Sequence, residues 1–138
     1  MCSILCTSKD VNDYDDINYY LKFRGPDDTS IVKDEVNNFT FLHNLLSMTG
    51  EFTTQPFQDD GIICLYNGEI YNYKEFGDYK SDGYCIIDLY KEYGVDFVKK
   101  LDGEFAILLL DFYNDVILMV TDPFKTKPLF YNLQILYS

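Results

Sequence analysis

The stretch Glu-Phe-Ala-Ile-Leu-Leu-Leu-Asp-Phe-Tyr-Asn-Asp-Val-Ile-Leu-Met-Val-Thr, residues 104–121, decides the fold class. Residues 104–110 and 116–121 are short apolar runs rich in Leu, Ile, Val and Phe, and the Asn114-Asp115 pair between them suits a tight turn. They read as two buried strands. Upstream, residues 62–66 form another β-prone run, as do residues 29–33 and 39–43, with Gly50, Pro56 and Gly61 as breakers. Residues 3–7 suit a first strand. Helical signals lie between these runs. Over residues 13–23, Tyr14, Ile17, Tyr20 and Leu21 recur at helical spacing, and Pro26 ends the element. Asp82-Gly83 precedes an amphipathic stretch over 84–93 that Gly94 closes, with a shorter helical turn expected over 95–100. Residues 129–131 and 134–137 are expected to form a last hairpin. Strands before, between and after helices predict an α+β sandwich rather than a doubly wound parallel sheet.

The chain has 138 residues, of which 47% are apolar and 17% aromatic, enough to bury one core and too many for a disordered protein. No repeat or linker divides it, so residues 1–138 are expected to form a single domain. Its net charge of −12 argues against nucleic acid or an anionic membrane as partner, because phosphate recognition needs clustered Lys and Arg. No signal-peptide pattern opens the chain and no apolar run reaches the roughly 18 residues of a membrane span, so a cytoplasmic location is expected. Cys2, Cys6, Cys64 and Cys85 are too scattered for a disulfide framework. They also lie too far from the lone His43 for a zinc site, so no metal is expected. Cys6, Cys64 and Cys85 sit among apolar neighbours and read as buried, inert thiols.

Cys2 differs, because Met before a small residue is normally trimmed. Trimming leaves a cysteine whose own α-amine can act as general base, since the two groups have reference pKa values near ~8.5 and ~8. In an exposed, polar site beside that ammonium, Cys2 would be the most reactive of the four thiols. Such a nucleophile needs donors for a developing oxyanion. Asn67-Gly68, at the end of the run over 62–66, offers a side-chain amide and a backbone N–H. Taken alone, Asn-Gly is equally a turn signal.

The chain also resembles a known family. Met1-Cys2-Ser3-Ile4, Arg24-Gly25-Pro26-Asp27, His43 with Leu46-Ser47, Gln55-Pro56 and Asn67-Gly68-Glu69-Ile70-Tyr71-Asn72-Tyr73 are similar to segments of the glutaminase domain of asparagine synthetase. Ser81-Asp82-Gly83, Leu101-Asp102-Gly103-Glu104-Phe105-Ala106, Asp122-Pro123-Phe124 and Lys127-Pro128-Leu129-Phe130-Tyr131 continue the likeness in the same order. The resemblance implies a class II glutamine amidotransferase domain: an N-terminal-nucleophile hydrolase with an αββα core of two stacked antiparallel sheets. It implies Cys2 as the nucleophile that attacks a side-chain amide and releases ammonia, and Asn67 and Gly68 as the oxyanion hole. Glu69 would line the substrate, and Asp82 would pair with the α-ammonium of glutamine, although Asp82 also suits a plain helix N-cap. The segment from Arg24 to Asp27 would order the pocket, with a surface ion pair the other reading of Arg24. No cofactor is implied.

Two departures qualify the likeness. The family motif reads His, any residue, Arg, Leu, Ser, and its Arg clamps the α-carboxylate of glutamine. Here it reads His43-Asn44-Leu45-Leu46-Ser47, so Leu45 replaces the substrate-binding cation. Losing such a contact costs on the order of 2–5 kcal/mol. The chain also stops at Ser138, so no synthetase domain is expected on it, and any ammonia released would go to water or to a separate ammonia-accepting synthetase chain. Two functions follow: an amidohydrolase acting on glutamine or on an amide without a free α-carboxylate, or a non-catalytic relative that binds a ligand or a partner protein.

Overall fold

A computed structural model describes residues 2–9, 13–48 and 50–132. The order is β1 (Ser3–Thr7), α1 (Tyr14–Leu21), β2 (Asp28–Asp34), β3 (Phe39–Leu45), β4 (Phe57–Asp59), β5 (Ile62–Ile70), α2 (Cys85–Tyr93), β6 (Gly103–Asp111) and β7 (Val116–Thr121). Among the described residues, 3-10 turns lie at Lys22–Arg24, Tyr73–Glu75, Asp82–Tyr84 and Gly94–Lys100. The strands form two antiparallel sheets, ordered β1-β3-β2 and β4-β5-β6-β7. The apolar runs over 104–110 and 116–121 are the paired β6 and β7, with Asp115 in the positive-φ turn between them.

Side-chain alternation builds the layers. On β5 and β6, Cys64, Tyr66, Phe105, Ile107 and Leu109 pack with Ile86, Leu89 and Tyr90 of α2. The intervening Ile63, Leu65 and Leu110 meet Phe41 of β3, with Ile4 and Cys6 of β1 against them, between the two sheets. Both faces of β5 and β6 are therefore covered, which is why their sequence is nearly continuously apolar.

Several expectations change. α1 is shorter than residues 13–23, is capped by the Asp13 carboxylate, and buries none of its residues. It is tied down by polar groups instead: Asn44 Nδ2 donates to Asn18 Oδ1 and to Ser3 Oγ, each at 2.8 Å, and Thr29 Oγ1 donates to Asn44 Oδ1 at 2.7 Å. Asn67-Gly68 makes no turn and lies inside β5, with Asn67 opposite Ala106 and Gly68 opposite Phe105. β4 has no counterpart in the sequence reading. Residues 129–131 are not a strand, and residues 134–137 lie outside the described residues.

Candidate active site

Cys2, just before β1, sits where β3 runs out. Its Sγ accepts the Leu46 N–H at 3.4 Å and donates to the Leu46 carbonyl at 3.8 Å. Burial pushes the Cys2 thiol up from its ordinary value; the Leu46 N–H pulls it down, and Asp82 and Asp27 push it up further. The expectation of an exposed Cys2 is thus corrected. The thiol is half-buried and held toward its neutral form. Burial drives Cys6 and Cys85 up to about 12 and raises Cys64 as well. Cys6 is half-buried rather than buried.

A cavity of about 190 Å³ opens beside Cys2. Its wall brings together all six residues singled out from the sequence: Cys2, Leu45, Asn67, Gly68, Glu69 and Asp82. β5 supplies Asn67 to Glu69 from the second sheet, so the cavity spans the mouth between the sheets. Asn67 is 6% exposed, and its Oδ1 is buried with no partner among the described residues. Gly68 is required here because a Cβ would come within 2.1 Å of the Glu104 carbonyl on β6. Leu45 is 6% exposed, an apolar patch in the wall where the resemblance would have a cation.

Asp82 caps no helix by its own position; Ser81 holds the N-cap of the turn Asp82–Tyr84. Its buried carboxylate takes four protein donors: Tyr66 O–H at 2.5 Å and Ile70 N–H at 2.9 Å on Oδ2, Gly83 N–H at 3.0 Å and Ser81 O–H at 3.2 Å on Oδ1. It pins the end of β5 to the start of α2. Burial raises the Tyr66 hydroxyl far above its ordinary value, and the Asp82 charge adds to this, so the phenol stays a donor. Gln55 supports the same strand, accepting the Tyr66 N–H on Oε1 at 2.7 Å.

Sequence reasoning missed Lys127 and Glu104 as wall residues. Lys127 Nζ lies 2.6 Å from Glu104 Oε1, and the lysine side chain is 7% exposed. Asp122 sets its position: the carboxylate accepts N–H bonds from Phe105, Phe124 and Thr126, plus the Thr126 hydroxyl. The signal in the sequence is a single acid opening the apolar run over 104–110 and a lysine held between Thr126 and Pro128. Arg24 lies outside the wall, and its Nε donates to the Cys2 carbonyl at 3.3 Å. Among the described residues, no cluster of His, Cys, Asp or Glu is arranged to hold a metal ion, and no helix is long and apolar enough to cross a membrane.

Residues 1–136 match the family described as glutamine amidotransferase domain. The chain is 37% identical over 123 residues to the glutamine-hydrolyzing asparagine synthetase 2 of Bacillus subtilis, covering 80% of this chain and 16% of that protein. It is 36% identical over 122 residues to the glutamine-hydrolyzing asparagine synthetase of Asparagus officinalis, covering 80% and 20%. It is also 34% identical over 99 residues to the amidase chyE of Penicillium rubens, covering 64% and 14%. The chain thus spans about a fifth or less of the length of these relatives.

Proposed function

The chain belongs to the glutamine amidotransferase domain family, and from that premise we propose that it hydrolyses a side-chain amide, of glutamine or a related compound, through Cys2. Removal of Met1 frees the α-amine of Cys2. That amine takes the thiol proton as sulfur attacks the amide carbon, and a tetrahedral intermediate forms. Its oxyanion is held by the Asn67 amide and the Gly68 N–H. Collapse breaks the C–N bond, the α-ammonium returns the proton to the leaving nitrogen, and ammonia departs. Water then cleaves the thioester, with the amine again as base, to give the carboxylic acid and restore the thiol. The ammonia passes to a synthetase unit, a reading supported by the likeness to glutamine-hydrolyzing synthetases.

The observation that carries the proposal is that Cys2 and the buried amide of Asn67 line one cavity although 65 positions separate them in the chain. The test is ammonia release from glutamine and carboxyl-blocked glutamine by the wild type and by Cys2→Ala, with intact mass to establish that the mature chain starts at Cys2. Met1 retained on most molecules would sink the mechanism. Leu45 favours a second reading, a ligand-binding relative without turnover. Under that reading the wild type releases no more ammonia than Cys2→Ala while binding survives.

A further inference from the structure

The charges around the cavity are one-sided. Glu51, Glu69, Asp82 and Glu104 line it; Lys127 is the one side-chain cation of the wall among the described residues, and Glu51 is met from outside the wall by Lys80 at 3.4 Å. Lys127 is already engaged. Its Nζ sits 2.6 Å from Glu104 Oε1, and the Asp122 turn pins its segment to β6. Turning Lys127 toward a ligand would strip a mostly buried carboxylate of its partner, which costs more than an exposed ion pair returns. Glu69 adds to the imbalance, since it stands directly opposite Glu104 in the β5–β6 register. Arg24 cannot redress it from outside the wall, where it donates to the Cys2 backbone. Leu45 contributes an apolar surface only.

A carboxylate entering this space would lose water, find no side-chain cation in the wall that is not already paired with an acid, and face the carboxylates of Glu69 and Asp82 in a region of reduced dielectric. An ammonium would meet the opposite conditions. We infer that the cavity selects a primary amide that carries a cationic group and no carboxylate, and that the Lys127–Glu104 pair sets this preference by withholding the wall's ammonium from anionic ligands. The inference rests on the amide-hydrolase reading of the same cavity and names its substrate class.

Binding and turnover separate the two ideas. Calorimetric binding to full-length Cys2→Ala is measured for three primary amides of similar length: γ-aminobutyramide, which is cationic; glutamine, which is zwitterionic; and glutaramate, which is anionic. The expected ranking places the cationic amide on the order of tenfold tighter than glutamine, and glutaramate weakest. Adding Glu104→Gln releases Lys127, so glutamine should gain and γ-aminobutyramide should lose about tenfold each. Lys127→Met leaves Glu104 without its partner and should widen the gap between γ-aminobutyramide and glutamine. Glutamine binding tighter than γ-aminobutyramide, binding of none of the three, or a narrower gap between those two ligands in Lys127→Met would overturn the inference. Melting curves show whether each variant folds, and the ranking in Cys2→Ala decides the question if the pair variants do not. Ammonia release by the wild type is scored separately: its absence with every ligand refutes hydrolysis, and the binding order still tests the charge preference.

Discussion

His43 allows a quantitative test of how the core treats a polar group next to the site. It is the single histidine of the chain, lies on β3 two residues before Leu45, and is 1% exposed. Its Nε2 is buried with no partner among the described residues. Burial pushes the imidazole down from 6.5 to about 4, against a smaller upward pull from Asp28. On acidification the unfolded chain therefore takes up this proton first. The stability tied to a neutral His43 is complete above pH 6.5, falls as pH drops through that value, and is exhausted below about 4. At ~1.4 kcal/mol per pH unit, the interval is worth on the order of 3 kcal/mol, a large share of the 5–15 kcal/mol typical of a domain. Asp122 contributes at more acid pH. Burial raises its carboxyl, but the Thr126, Phe124 and Phe105 donors outweigh that and hold it below the ordinary carboxylate value. The assay is the urea-denaturation free energy of the wild type and of His43→Phe between pH 7.5 and 4, with NMR titration of the one imidazole. The wild type should lose about 3 kcal/mol relative to the variant across that window. A folded-state imidazole titrating near 6.5, or a difference between the two proteins that stays flat with pH, would refute the reasoning.

Two further predictions concern the cavity wall. Asp82→Asn keeps one acceptor oxygen and turns an NH2 toward either the Ile70 or the Gly83 N–H; a hydroxyl can reorient, but a backbone N–H cannot. Stability should fall by about 1–3 kcal/mol in urea denaturation, and a loss under about 0.5 kcal/mol would mean that the carboxylate does not hold β5 to α2. Leu45→Arg should place a guanidinium where the α-carboxylate of glutamine would lie and lower the Michaelis constant for glutamine by tens-fold, with little change in kcat because the carboxylate is remote from the reacting amide. A variant that melts within a few degrees of the wild type yet gains nothing for glutamine would show that more than this position has diverged.

Much of the architecture was legible because its signals are local. The apolar runs over 104–110 and 116–121 with Asn114-Asp115 between them, and the amphipathic stretch closed by Gly94, each announce their element within a dozen residues. β4 was invisible because Phe57–Asp59 is too short to carry a period. Asn67-Gly68 misled because the dipeptide's local preference is a turn, whereas pairing with Ala106 and Phe105 across the sheet holds it extended. For the site, the types of residue were legible and their arrangement was not. Cys2, Leu45, Asn67, Gly68, Glu69 and Asp82 were named from motifs, and all six do line one cavity.

What the sequence determined by itself is the α+β class, the strands other than β4 and a set of chemically suited side chains, because hydrophobic period, turn residues and motif identity are properties of neighbouring positions. Only the tertiary structure decided that the Cys2 thiol lies against the Leu46 backbone and that Asp82 is saturated by Tyr66, Ile70, Ser81 and Gly83. It likewise decided that Lys127 is committed to Glu104. Except for the two donors adjacent to Asp82, these contacts join positions 12 to 44 residues apart. Strand pairing and sheet stacking select such partners, and burial then sets whether the charges they carry are available to a ligand.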